Sequence, residues 1–319
     1  MKTNFISNKE KKTKALHEKY EKGLNNKNKK SYTDKKLLDE IKLNDAYINT
    51  DEFKMIVQEN NKVIKDNKLI QKATFDFTEY ELKCLNYVLS LIKPDIKITE
   101  NDYIEFPLID LIKILGIKNN SKQYEIVKES LSNLRTKNKW VKIKNKNIDK
   151  EINLSFLMKC EILNNGNKSN VRVKFMNEIL YYIQNLKRKF TEMNLIYSLM
   201  LKGKYTIRLY ELCKSYQNNL LIDNEVNENK IYGFNLYVKS IREMWCIPDT
   251  VNTGNFKRQI LDKAINEINS KTDIDISIFK THKNGHTIDY YILQVKPNTY
   301  IFNSVIKKIE KRRKEILYE

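Results

Sequence analysis

The chain has 319 residues, with 59 Lys and Arg against 40 Asp and Glu, a formal net charge of +19. At about 100–200 residues per domain this length suits two domains, and 41% hydrophobic with 10% aromatic residues excludes wholesale disorder. The longest apolar run, near Leu195–Leu201, is about a third of a membrane span; the basic N-terminus lacks the apolar stretch of a secretory signal, so a soluble, cytoplasmic protein is expected.

Residues 1–62 read as a basic, Lys- and Asn-rich arm, partly disordered or turning helical near Asp34–Phe53. Order is expected from Val63. Thr78 and Glu81 have the spacing of a capping box, which satisfies free amides at a helix start. Leu82, Leu85, Val88, Leu89 and Ile92 follow at helical spacing, and Pro94 closes the element. A short strand, YIEF, leads to Pro107 and a helix over Leu108–Leu115 ended by Gly116. A second helix is predicted over Tyr124–Leu134, capped near Ser121. WVKI, a polar turn and INLSFL then read as a hairpin. Helix, turn, helix, hairpin is the order of a winged helix, here assigned to residues 63–186.

Residues 187–298 repeat that order. KYTIRLYELCKSY is an amphipathic helix followed by a polar loop; Leu236–Trp245 precede a break at Pro248, and a helix runs over Phe256–Asn269. Strands Ile274–Phe279 and Ile288–Val295 flank Asn284-Gly285, a strong hairpin signal. Leu111, Ile114, Leu115 and Ile117 before Val127, Leu131 and Leu134 correspond to Ile241, Met244, Trp245 and Ile247 before Leu261, Ile265 and Ile268. Duplication is the better account of this match, because a hairpin flanks both copies. The expected fold is therefore α+β: two tandem winged-helix domains, a basic arm before them, and a basic helix at 299–319 after them.

The residue types argue against catalysis. Only His17, His282 and His286 are present, and they form no paired metal motif. The seven glycines supply neither GxxxxGK nor GxGxxG, and Asp273 with Asp275 lacks a third ligand or base. Cys84, Cys160, Cys213 and Cys246 are widely spaced with no CxxC pair, so buried free thiols are expected rather than zinc. No enzyme activity, cofactor or metal is expected.

The positive charge points to a polyanion. Lys outnumbers Arg by 51 to 8 amid abundant Asn and Ile, as AT-rich coding produces, so part of the basicity carries no target. The surplus still predicts attraction to nucleic acid ahead of a membrane surface. The few Arg residues are the informative ones, because the guanidinium fork suits bidentate contacts. On the second recognition helix Lys257, Arg258 and Gln259 lie near the N-terminal end, where such helices meet base edges. Ile260, Leu261, Ala264, Ile265 and Ile268 form the opposite face. On the first, Lys122, Gln123 and Lys128 are the candidate base readers, with Glu125 and Glu129 opposing phosphate. Candidate phosphate contacts are Arg135, Lys137 and Lys139, the hairpin residues Lys142, Lys144, His282 and Lys283, and the pair Lys204 and Arg208, one helical turn apart.

The second half, with its Tyr205–Leu212 helix and its Phe-Lys-Arg helix over Phe256–Asn269, resembles the plasmid replication initiators that bind iterons as tandem winged helices. The first half is similar from about Leu69 to Leu186, including FPLIDLIKILGI. The resemblance implies a monomer that binds direct repeats at a plasmid origin through both domains, helps open adjacent AT-rich DNA, and brings in the host initiator and replicative helicase. It also implies a dimer, formed mainly through the first domain, that represses its own gene at an inverted repeat. Family base readers map onto Lys257, Arg258 and Gln259, and phosphate binders onto Lys204 and Arg208. A two-domain transcriptional regulator is the alternative; a scaffold binding protein through its winged helices fits the charge less well.

Overall fold

The computed structural model describes residues 62–298 apart from 93–95, 116–120, 138, 146–147, 167, 185, 187 and 223–229. The expected arm (save Lys62), the C-terminal helix, Pro94 and Gly116 lie outside the described residues.

The chain opens with strand β1 (Lys62–Asp66) and short helix α1 (Asn67–Lys72), whose first turn is capped by the Asp66 carboxylate. Helix α2 (Glu79–Ser90) carries the expected capping box: Glu81 N donates to Thr78 Oγ1 at 3.3 Å and Thr78 N to Glu81 Oε2 at 2.9 Å. β2 (Ile104–Pro107) runs directly into α3 (Leu108–Ile114), and α4 (Ser121–Thr136) follows. Leu111, Val127, Leu131 and Leu134 are buried between these elements, as the apolar spacing predicts.

The expected first hairpin is present as β3 (Lys139–Asn145) and β4 (Ile148–Leu154), but it is not the wing. Among the described residues these two strands pair with each other and with no third strand. The wing is the next hairpin, β5 (Leu157–Asn165) and β6 (Lys168–Phe175), which joins β2 in the order β2-β6-β5. Its turn contains Gly166 at φ 57°, the left-handed region that glycine adopts without steric penalty. The signal was Asn165-Gly166, the same dipeptide as Asn284-Gly285 in the second copy.

After α5 (Asn177–Leu180) the second copy begins with β7 (Phe190–Asn194) and α6 (Leu195–Met200), a strand and short helix like β1 and α1. β1 and β7 pair antiparallel, Ile64 opposite Glu192, so the equivalent strands of the two copies join in one sheet. Next come α7 (Lys204–Tyr216), β8 (Leu220–Ile222), β9 (Lys230–Tyr237) and α8 (Val238–Met244). β8 lies within the expected polar loop, and the segment read from Leu236 begins as the end of β9. α9 (Thr253–Asn255) passes through a π-helical turn (Phe256–Leu261) into α10 (Asp262–Lys271), and β10 (Ile274–Asn284) with β11 (Thr287–Pro297) forms the wing. The sheet order β10-β11-β9-β8 repeats that of the first wing with one strand added.

Both wing sheets cover a core of aliphatic and aromatic side chains that is continuous across the two copies. Phe75, Phe77 and Phe156 form an aromatic cluster, with ring centroids 5.1–5.9 Å apart, between the segment entering α2 and the segment entering β5. Cys84 and Cys213 are buried, which raises both thiols. Cys160 and Cys246 are half-buried, not buried as expected. Among the described residues no helix is long and apolar enough to cross a membrane.

β9 approaches β11 so closely at Gly233 that an added Cβ would stand 1.9 Å from the Leu293 carbonyl oxygen. Gly233→Ala must push the strands apart and is expected to cost about 1–3 kcal/mol. The check is a lower urea midpoint with unchanged m-value.

Candidate nucleic-acid interface

The second recognition element is built on a buried face. Phe256, Ile260, Leu261, Ala264, Ile265 and Ile268 are all buried, which fixes the helix and leaves Arg258, Gln259, Lys263 and Asn266 exposed. Asn252 caps the start, its Oδ1 accepting from Asn255 N at 2.8 Å. Within the π turn Asp262 N donates to Lys257 O, five residues back. The wider turn shifts Lys257–Gln259 around the axis relative to α10. Such turns recur at functional sites, and nothing in the spacing of FKRQIL announces this one.

The three residues expected to read bases here are not equivalent. Arg258 is exposed and donates across the turn to Asn255 Oδ1 at 3.1 Å. Gln259 is exposed beside it. Lys257 is half-buried and paired with Asp262 at 2.7 Å, so its charge is partly cancelled. Lys263 and Asn266, which the sequence reading passed over, continue the exposed ridge from Gln259 at helical spacing.

The first recognition helix presents both signs. Lys128 is exposed but sits 3.1 Å from Glu125, with Glu129 also exposed beside it. Arg135 is exposed at the C-terminal end. Lys122 and Gln123 occupy the first turn of α4, and Lys139, Lys142 and Lys144 lie along β3; the side chains of these five are outside the described residues. The strand register sets Lys142 opposite Glu151 and Lys144 opposite Asp149. On the second wing His282 stacks on Tyr290, ring centroids 4.4 Å apart, while Lys283 and His286 are exposed at the tip.

Of the expected phosphate contacts, Arg208 faces inward, and Lys204 and Lys137 are half-buried in ion pairs. Arg208 is buried: Nη2 donates to Ala73 O at 2.9 Å, and Nη1 donates to Phe75 O and Met244 O at 2.8 Å each. Its guanidinium lies 3.9 Å from the Phe75 ring centroid. Burial brings it down to about 10, so it remains charged at neutral pH. Lys204, on the same face of α7, is half-buried and bonds Asp76 at 2.5 Å. This face turns toward the first copy, so the pair cannot clamp a phosphate together. Lys137 bonds both oxygens of the buried Glu81, at 2.8 and 2.9 Å, beside Asn133 Nδ2 at 2.6 Å. It ties the end of α4 to the start of α2.

Among the described residues no group of three or more His, Cys, Asp or Glu is placed to hold a metal ion. Asp273, one of the two aspartates weighed as ligands, accepts from Tyr210 Oη and Lys214 Nζ at 2.9 Å each, which anchors α7 to the start of β10.

Residues 62–214 match the family described as initiator replication protein, WH1, and residues 237–295 match initiator Rep protein, WH2. The PI protein of Escherichia coli is 33% identical over 130 residues, 36% of this chain and 40% of that protein, so the match spans about two fifths of the relative. A crystal structure described as Pi initiator protein in complex with iteron DNA superposes with a TM-score of 0.54 at 20% identity, over 75% of this chain and 98% of that one. A structure of domains 2 and 3 of RctB gives a TM-score of 0.40 at 8% identity, over 69% of this chain and 83% of that one. The superposition on the Pi protein shows a shared fold.

Lys137 and Arg135 provide a contrast within one helix end, since each carries one positive charge. Lys137→Met takes the cation from the buried Glu81 carboxylate, which keeps its bonds from Asn133 and Thr78, and is expected to lower stability by about 1–2 kcal/mol, allowing for partial exposure of the lysine. Arg135→Met is expected to stay within about 0.5 kcal/mol of wild type. Urea unfolding of the two variants makes the comparison.

Proposed function

Because the chain belongs to the family of initiator replication proteins, we propose that it starts plasmid replication by binding direct repeats, or iterons, at an origin with both winged helices on one duplex. The observation that carries this reading is the exposure of Arg258 and Gln259 at the amino end of a helix whose opposite face is wholly buried. A guanidinium there can fork onto guanine O6 and N7, and a side-chain amide onto adenine N6 and N7. Lys263 and Asn266 extend the same edge. Lys283 and His282 on the second wing, with Arg135 on α4, supply backbone contacts, which position without specifying sequence, while Lys128 is a base reader of the first domain. Lys122, Gln123, Lys139, Lys142 and Lys144 belong to the same proposed interface.

The balance of charge makes the second domain the main reader. Lys128 faces Glu125, whereas among the described residues no carboxylate pairs with Arg258. The first domain then supplies orientation and dimerisation. The resemblance extends the proposal to opening of adjacent AT-rich DNA, recruitment of the host initiator and helicase, and repression at an inverted repeat by a dimer in equilibrium with the binding monomer. These steps require binding energy and DNA bending, and bending costs about 1–6 kcal/mol that added contacts offset. A cytoplasmic site of action fits this role.

Arg258→Ala is expected to cost about 1–3 kcal/mol on the cognate repeat while leaving affinity for random duplex nearly unchanged. Equal losses on both duplexes would contradict a base-reading role. With six to ten phosphates neutralised, log K should fall with log salt at a slope of about −5 to −9. A slope near zero would remove electrostatics from the interface. Both are measured by anisotropy titration between low and moderate salt.

A further inference from the structure

One face of α7 holds the first copy at four successive points. Gly203 N donates to Glu79 Oε2 at 2.6 Å, Lys204 bonds Asp76, Arg208 bonds the Ala73 and Phe75 carbonyls, and Glu211 accepts from Lys65 at 2.7 Å and Asn86 Nδ2 at 3.0 Å. Arg208 differs from the others because it also reaches the carbonyl of Met244, the last residue of α8. α8 precedes the π turn and α10, and the segment from Ala73 to Phe75 enters α2, against which α4 is fastened through Glu81. A single planar group is thus bonded to the main chain at the entry to α2, the helix that holds α4, and at the end of α8, the helix that leads to α10. Its three acceptors are backbone carbonyls, whose positions follow the fold and not a side-chain rotamer.

We propose that Arg208 is a positioning residue that fixes the separation and angle between α4 and α10, and so the number of base pairs between the two half-sites the chain reads. The inference rests on the reading that both winged helices engage one duplex. The guanidinium donates in fixed directions within its own plane, so satisfying three carbonyls at 2.8–2.9 Å restricts both translation and rotation of one domain on the other. The Phe75 ring beneath it closes the remaining direction. An apolar side chain of similar length would fill the space without dictating an angle.

The experiment is selection of bound duplexes from a random pool by the full chain, for wild type, Arg208→Met and Arg258→Ala. Folding of each is verified by thermal unfolding. Wild type is expected to recover two half-motifs at one fixed separation. Arg208→Met is expected to recover the same half-motifs at several separations. It should bind the best wild-type duplex about tenfold or more weakly, as linked heads lose their effective concentration, yet bind a single half-motif within about twofold. Arg258→Ala should instead lose base preference in one half-motif. Unchanged separation and affinity in Arg208→Met would overturn the proposal. Recovery of only one half-motif by wild type would overturn the two-headed reading itself, whatever Arg208 does. Should Arg208→Met not fold, Arg208→Lys and Phe75→Leu take its place. The first keeps the charge without the fork and the second removes the ring, and a retained fixed separation in both would be equally decisive against the proposal.

Discussion

The architecture depends on charge held out of water between the two copies. Lys65, Glu211 and Arg208 are all buried, with Asn86 between α2 and α7 completing the set. Desolvation pulls Lys65 down despite its pairing with Glu211, a sign that this seam is a costly place for an ion. A buried pair of this kind adds little net stability over apolar packing, but removing one member costs about 3–5 kcal/mol because its partner is stranded. The seam therefore tolerates few arrangements of the two domains. Its directional bonds make the joint a definite geometry where an oily contact would allow sliding.

The duplication explains how such a joint forms. Each copy opens with a strand, a short helix and a longer helix, and the equivalent strands β1 and β7 pair antiparallel. That pairing brings α2 and α7, the matching long helices, onto one another. α2 is consequently buried on every side from Glu81 to Ser90, although its sequence is that of a helix with a polar face. The polar residues on that face, Lys83 and Asn86, bond Glu79 and Glu211. What looks like a solvent-facing stripe in one copy is the contact surface of the other.

This is why the sequence disclosed the elements of the fold better than its site. The capping box at Thr78, the apolar periods of α4 and α10, and the Asn284-Gly285 turn are local signals, and each stands where its chemistry requires. The first wing was misplaced by one hairpin because β3 and β4 satisfy the same local pattern as β5 and β6. The Asn165-Gly166 turn is the one local hint that separates them, and pairing with β2, a long-range fact, decides it. The fate of Lys204, Arg208 and Lys137 was illegible for the same reason. Helical spacing puts Lys204 and Arg208 on one face, but cannot say whether that face meets DNA or the rest of the chain. Arg258 and Gln259 were legible because five apolar residues behind them oblige their edge to face outward.

Arginine usage brings these observations together. In a chain where Lys outnumbers Arg by 51 to 8, arginine stands out where geometry as well as charge is needed. At Arg208 the fork meets three carbonyls inside the protein, where the entry to α2 meets the end of α8. Arg172 bonds Glu105 across strands β6 and β2 of the first wing, and Arg242 caps the Pro248 carbonyl before the second recognition helix. Arg258, by contrast, is exposed near a helix start, bonded to Asn255 and, among the described residues, to no carboxylate. A lysine would serve as well for charge alone at any of these positions. A planar fork suits two tasks that a point charge does not: at Arg208 it sets an angle within the protein, and at an exposed helix end its shape matches the planar edge of a base.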